Sequence, residues 1–435
     1  MRILVIGAYG LIGTCVVARL RGDGHTVVGA GRSVAIAVRC QPDMSWVAID
    51  LATADEADWA PLLTGVDAVV NCAGALQDSP RDDLRAVHVD GVARLVAACM
   101  QAGVRRLVHI SAAGVAPGRG LGTRGDAFND SKLATETLLR DSTLDWIILR
   151  PGLVLAPAAY GGSALLRGLA AFPIVLPVVH AESQVQVVAA TDVALAVARA
   201  VLPETSARRT IDLVHAEVIT LADLVTRLRR WLGLPAARLL PLPPRWARLA
   251  ARAADALAWA GWRSPLRTAT LEQLRGGISG DGGAMARDLD LVPLGLDQML
   301  AAGPAGVQER WFAKIYFLKP AMLAMLSFFW TVSGLVGLLR VPAAAAVLTT
   351  AGMAPGLATL AVVAGSVIDV ALGVGVAFRR WAATALRGMV LLSVAYMAGG
   401  TLWRPDLWLD PMGPFLKTLP AAMLALVALA LLDER

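Results

Sequence analysis

Residues 7–13, GAYGLIG, stand between the apolar run RILVI (2–6) and the helical run TCVVARLRGDG, and a second apolar run, HTVVGAGR, follows. No other feature constrains the chain as tightly. A buried strand that turns through glycines straight into a helix opens a doubly wound α/β domain with a dinucleotide at its strand ends. Gly7 lets the chain turn, Gly10 lets backbone approach a pyrophosphate, and Gly13 permits close packing of helix on strand. Ala8, Tyr9, Leu11 and Ile12 belong to the same loop and are expected as cofactor contacts at the helix N-terminus.

Further landmarks repeat the strand pattern. Asp50 and Leu51 follow a third strand, MSWVAID; DAVVNCAG (67–74) is a fourth, ending at Ala73 and Gly74; VRRLVHISAAG (104–114) is a fifth and carries Ser111. DWIILRPGLVLAP (145–157) is a sixth, with Pro151 in its Arg-Pro-Gly segment. With the GxxGxxG spacing, residues 1–230 resemble the extended and atypical short-chain dehydrogenase/reductase superfamily. The resemblance implies cofactor contacts at Asp50, Leu51, Ala73, Gly74 and Pro151, and a small substrate-side subdomain over 151–230. An NAD site usually has a carboxylate at the end of strand two. That end here reads VVGAGRS, and Arg32 in place of an acid favours NADP over NAD.

The same resemblance assigns Ser111 to the substrate oxygen and Lys132 to the nicotinamide ribose. The segment GDAFNDSKLATE (125–136) has Phe128 where the family has its tyrosine. Phenylalanine has no exchangeable proton and cannot act as acid or base. Cofactor binding through Lys132 survives that loss, and the lysine is one of only four in the chain. Asp126, Asp130 and Tyr160 are the candidate substitutes. In the following stretch, Thr191-Asp192 and Thr220 read as helix N-caps. The helix expected over 243–262 places Arg245, Arg248 and Arg252 on one face and Trp246, Leu249, Ala253 and Leu257 on another. Such a helix either packs on the core or lies on a membrane surface. Residues 264–300 resemble the tail of the branch that holds the 39-kDa-type accessory subunit of respiratory complex I.

From Trp311 the composition changes. Residues 320–339 are uncharged, and further apolar tracts cover about 356–378, 386–403 and 414–432, each long enough to cross a bilayer core. The mean hydropathy of +0.60 over 435 residues reflects this. The expected fold is thus a doubly wound parallel-sheet Rossmann domain followed by an α-helical four-span transmembrane domain. Its expected parts are 1–230, a linker with amphipathic helices over 231–310, and 311–435, which resembles a DoxX-like membrane domain. Nine basic and five acidic residues lie in 311–435, so most of the formal charge of +6 sits there. That distribution gives nucleic acid no footprint. Lys314, Lys319, Arg379, Arg380 and Arg387 on the cytoplasmic side satisfy the positive-inside bias. Asp369, inside the second tract, is expected to pair with Arg387, to hold a polar ligand group or to bond a neighbouring helix.

MRILVIG enters a strand without an apolar leader, so a cytoplasmic nucleotide domain on a multi-pass inner-membrane protein is expected. The four cysteines show no metal spacing, and no metal is expected. Two readings stay open. One is an NAD(P)H-dependent reductase of an apolar carbonyl or quinone-like molecule. The other is a non-catalytic nucleotide-binding module that senses redox state or stabilises an assembly with a membrane protein partner.

Overall fold

The computed structural model describes residues 1–79, 82–117, 127–262, 264–411 and 413–432. The chain divides into two compact units, Met1–Asp255 with Ser264–Ala313, and Ala256–Arg263 with Lys314–Arg435.

The first unit is built on a parallel sheet. Its strands are β1 (Arg2–Ile6), β2 (Thr26–Gly31), β3 (Ser45–Ala48), β4 (Ala68–Asn71), β5 (Arg106–Ile110) and β6 (Asp145–Pro151), with Arg209–Leu213 at the far edge. Their spatial order is β3-β2-β1-β4-β5-β6 and then the edge strand. Every pairing is parallel. The order reverses between β1 and β4, and ligands bind at the strand ends of such a switch point. β1 shows why the sheet is central: Ile3, Leu4 and Val5 are wholly buried. Alternation sends Ile3 and Val5 into one apolar cluster, with Leu20, Val193 and Val197. Leu4 and Ile6 enter the other, with Trp59, Leu63 and Leu95. Burial on both faces requires the near-continuous apolar strands seen in the sequence.

One expected cap is corrected. The helix Ala190–Ala200 starts without a side-chain cap. Asp192 instead accepts from the Leu294 amide at 2.8 Å, because a first-turn carboxylate there reaches an incoming loop. Thr220 does cap its helix, its hydroxyl accepting from the Asp223 amide at 3.1 Å.

In the second unit three helices are long and apolar enough to cross a membrane: Leu318–Leu339, Pro355–Ala377 and Arg379–Trp403. A fourth apolar helix, Pro414–Ala430, is shorter, at 17 residues. The helix Val341–Thr349 lies between the first two. Phe378 alone, in extended backbone, separates the second and third long helices. Arg379 and Arg380, which lie between the apolar tracts expected at about 356–378 and 386–403, extend the third helix, and Arg387 lies within it. Arginine lowers hydropathy without opposing the helix, since its propensity is high and its stem is apolar.

Asp369 does not pair with Arg387, which is exposed. The Tyr396 hydroxyl donates to Asp369 Oδ1 at 2.9 Å, bonding two helices. Gly365 makes room for that hydroxyl, since an ideal Cβ there would stand 2.8 Å from it. Replacing Gly365 by Val should therefore cost about 1–3 kcal/mol through overpacking. Tyr396→Phe, which removes only the hydrogen bond, should cost about 0.6 kcal/mol. Thermal melts of the full chain in detergent check this order; equal losses would contradict it.

Candidate functional site

The glycine loop is held by contacts that exclude side chains. Gly7 has φ +73°, and an ideal Cβ on it would lie 2.8 Å from the Ala73 nitrogen at the end of β4. A Cβ on Gly13 would lie 2.1 Å from the Gly7 carbonyl oxygen. Gly10 differs: its Cβ would meet only that same oxygen, at 3.2 Å, so its outer side is open. No side chain caps the helix Leu11–Gly22. The Leu11, Ile12 and Gly13 amides have no acceptor among the described residues. An open glycine beside uncapped amides at a helix N-terminus fits a pyrophosphate. Ala8 is buried in the core. The Tyr9 ring lies against Gly31, and its hydroxyl accepts from the Ser33 amide at 3.3 Å.

Arg32, Asp50 and Leu51 have partners of their own. Arg32 pairs with Asp82 at 2.7 Å. Asp50 Oδ1 accepts from the Ala52 amide at 3.0 Å. Leu51 is buried, and its carbonyl faces Gly91 in close contact. Pro151 closes β6, where its carbonyl accepts from the Ala113 amide at 2.8 Å.

The second half of the site centres on Lys132, buried on the helix Ala127–Asp141. Its Nζ donates to the Ile110 carbonyl at 2.9 Å and stands 3.6 Å from an ideal Cβ on Gly74. The end of β5 and the turn after β4 thus meet one ammonium group. Burial lowers the lysine to a pKa of about 8, with Glu136 and Cys72 partly opposing. The same burial pushes the Cys72 thiol up to about 12. Phe128 lies one turn before the lysine, with its ring centre 6.0 Å from Nζ.

Three further residues complete the site and were missed from sequence. Asn71 accepts from the Ala73 amide at 3.0 Å and so shapes the turn after β4. His88 Nε2 accepts from the Ala75 amide at 3.0 Å, which leaves the proton on Nδ1, 2.8 Å from Ser131 Oγ. Burial, reinforced by Lys132, pushes His88 down to about 2 and keeps it neutral. Glu136 is wholly buried, receives the Arg150 guanidinium on both oxygens at 2.8 and 2.5 Å, and also pairs with Arg140. The Ser111 hydroxyl donates to Glu136 Oε1 at 2.6 Å. Glu136 stands four residues after Lys132, and that helical spacing was the available signal. Of the expected substitutes for tyrosine, Asp130 is exposed, Tyr160 is 39% exposed ahead of the helix Gly161–Ala170, and Asp126 lies outside the described residues.

Lys132 gives a pH signature. From about pH 8 to 10.5 the unfolded chain keeps a proton that the folded chain has released, so stability rises with pH across that window. The melting temperature of the wild type minus that of Lys132→Met should rise between those limits. A constant difference would contradict a buried, depressed lysine.

Residues 7–172 match a family described as NAD(P)H-binding, and residues 327–426 match the DoxX-like family. A 3-diazoavenalumate denitrifying reductase of a Streptomyces species is 30% identical over 275 residues, 56% of this chain and 86% of that protein. An uncharacterized protein of Mycobacterium tuberculosis is 29% identical over 238 residues, 53% of this chain. The chain spans only 23% of that relative's length. Among solved structures, a short-chain dehydrogenase/reductase superfamily protein of Agrobacterium tumefaciens with bound NAD shares the fold, with TM-score 0.54 and 19% identity over 73% of this chain and 99% of that one. An Escherichia coli NADPH-dependent quinone oxidoreductase complexed with NADPH does so with TM-score 0.53 and 20% identity over 69% and 99%. The expected preference for NADP over NAD does not hold. Chains of this fold carry either nucleotide, and Arg32 is already engaged by Asp82. The N-terminal part of the chain belongs to the NAD(P)H-binding Rossmann family, and a DoxX-like segment with membrane-length helices follows it.

Proposed function

We propose that the chain is a membrane-anchored reductase that uses a nicotinamide nucleotide on an apolar carbonyl or quinone-like molecule. The observation that carries this reading is the pairing of an open glycine loop with a buried lysine at the same sheet end. A cradle alone would suit any nucleotide; a desolvated ammonium beside Gly74 adds a proton-bearing group. The reductase among the relatives, of which this chain covers 86%, supports the reaction class.

A bound reduced nicotinamide would supply hydride to the carbonyl carbon. The chain's own residues then determine where the oxygen finds its proton. Phe128 has none. Ser111 has committed its single proton to Glu136, so it presents lone pairs to the site. His88 has one proton, directed at Ser131. Lys132 has three N–H groups and one acceptor, Ile110, among the described residues. We assign the ribose contact and the proton to Lys132, and the Gly7–Gly13 loop to the pyrophosphate. Asp50, Leu51, Ala73, Gly74 and Pro151 frame the remainder of the nucleotide. Arg32, in this reading, serves the Asp82 pair.

The membrane part is read as four spans, with Pro414–Ala430 as the fourth and the arginine-rich start of the third helix on the cytoplasmic side. The second reading, a nucleotide-binding module without turnover, is favoured by Phe128 alone. A tie to the respiratory accessory-subunit branch rests on the 264–300 segment.

Phe128→Tyr separates the two. In a reductase limited by proton supply, a tyrosine four residues before Lys132 should raise turnover of a short-chain quinone about 10- to 100-fold with nucleotide affinity unchanged. Lys132→Met should abolish turnover in both backgrounds. No turnover with either residue at 128, across quinones and apolar aldehydes, would favour the binding module.

A further inference from the structure

The helix Pro244–Trp259 buries its small residues and exposes its large ones. Ala247, Ala251 and Ala254, at i, i+4 and i+7, face inward, and Ala247 and Ala251 pack with Leu271, Val179 and Leu266. Trp246 and Leu249 are each 58% exposed, and Leu257 is 51% exposed. A helix whose only duty were to cover the core would present these residues in the reverse sense.

Its orientation is fixed by Asp255. That carboxylate accepts from Gln77 Nε2 at 3.0 Å, Arg267 Nε at 2.6 Å and the Thr268 hydroxyl at 2.8 Å. Three donors on one carboxylate keep the tryptophan face from turning inward. On the side away from the alanines stand Arg245, Arg248 and Arg252, all exposed. None has a carboxylate partner among the described residues; Arg245 lies against the Trp246 ring, 6.0 Å from its centre. Residues 1–310 hold 31 basic and 29 acidic groups, whereas this one helix holds three and one. Its excess equals that of the whole segment.

We propose that this helix is a lipid-surface contact, with Trp246 and Leu249 set at the acyl boundary and Arg245, Arg248 and Arg252 on anionic headgroups. Charge complementarity selects the occupant. An apolar stripe beside three unpaired arginines matches an anionic interface and repels a second copy of the same basic face. Arginine stems add apolar area while their heads reach the phosphates. The contact is independent of whether the nucleotide site turns over.

The test uses the full chain in vesicles, with Cys40, the exposed native cysteine, replaced by Ser. A nitroxide is placed at Leu249→Cys, and at Arg230→Cys as an exposed control on the same unit. Collision with dissolved oxygen against a water-soluble nickel complex reads the environment. In vesicles with about 30% phosphatidylglycerol, an anionic surface of the kind that attracts basic helices, the label at 249 should be shielded from nickel and open to oxygen, and the label at 230 the reverse. Arg248→Gln with Arg252→Gln should return the 249 label toward water, at about fivefold in surface occupancy per arginine. A 249 label as open to nickel as the control overturns the proposal. So does shielding from both probes that is unchanged by the arginine substitutions, which would mean that protein covers the face.

Discussion

Two glycines, Gly7 and Gly13, hold the nucleotide-binding unit together at one point. Gly13 brings the first helix onto the Gly7 carbonyl, and Gly7 brings the loop onto the end of β4. Any side chain at either position would push helix, loop and strand apart. The core depends on this approach, because Val16, Val17 and Leu20 on that helix pack against Ile3 and Val5 of β1. The ligand site depends on it too, because the same approach leaves the helix amides facing outward beside the switch point. Close packing and anion binding are here two results of one steric constraint.

A second constraint is electrostatic. Lys132 is buried with one carbonyl acceptor, and its charge is tolerated because Glu136 lies one turn further along the helix. Glu136 is tolerated in turn because Arg150 and Arg140 neutralise it. Removing Glu136 would leave two arginines and a lysine around an apolar sheet end, and uncompensated buried charge is costly. The network also determines what Ser111 can do. Its proton is given to Glu136, so the hydroxyl keeps only its lone pairs for any further bond. Phe128 has no hydroxyl and Ser111 has given its own to Glu136, which leaves Lys132 as the buried N–H donor nearest Gly74.

Much of this was legible in the chain. The strand–glycine–helix order specified the sheet, since strands buried on both faces are apolar nearly throughout, and Lys132 stood out in a sequence with only four lysines. What escaped was what depends on contacts between distant elements. Glu136 reads as a solvated helix acid until Arg150, on β6, is brought beside it. His88 and Asn71 give no signal until their amide partners fold back on them. Arg32 looked like a phosphate ligand because its partner, Asp82, is distant in sequence. In the membrane-length helices, hydropathy alone hid the start of the third, where arginines continue a helix that a window average ends. Of the three roles expected for Asp369, the bond to a neighbouring helix is the one seen, with Tyr396 rather than Arg387 as its partner.

The central claim is that the glycine loop and Lys132 form one nicotinamide-nucleotide site. Titrating NADH and NADPH into the full chain in mild detergent, with nicotinamide fluorescence as the readout, tests it most directly. Saturable binding of at least one nucleotide is expected, weakened at least tenfold by Gly10→Glu at the loop and by Lys132→Met at the far end. Saturable binding that neither substitution weakens, or no binding of either nucleotide, would contradict it.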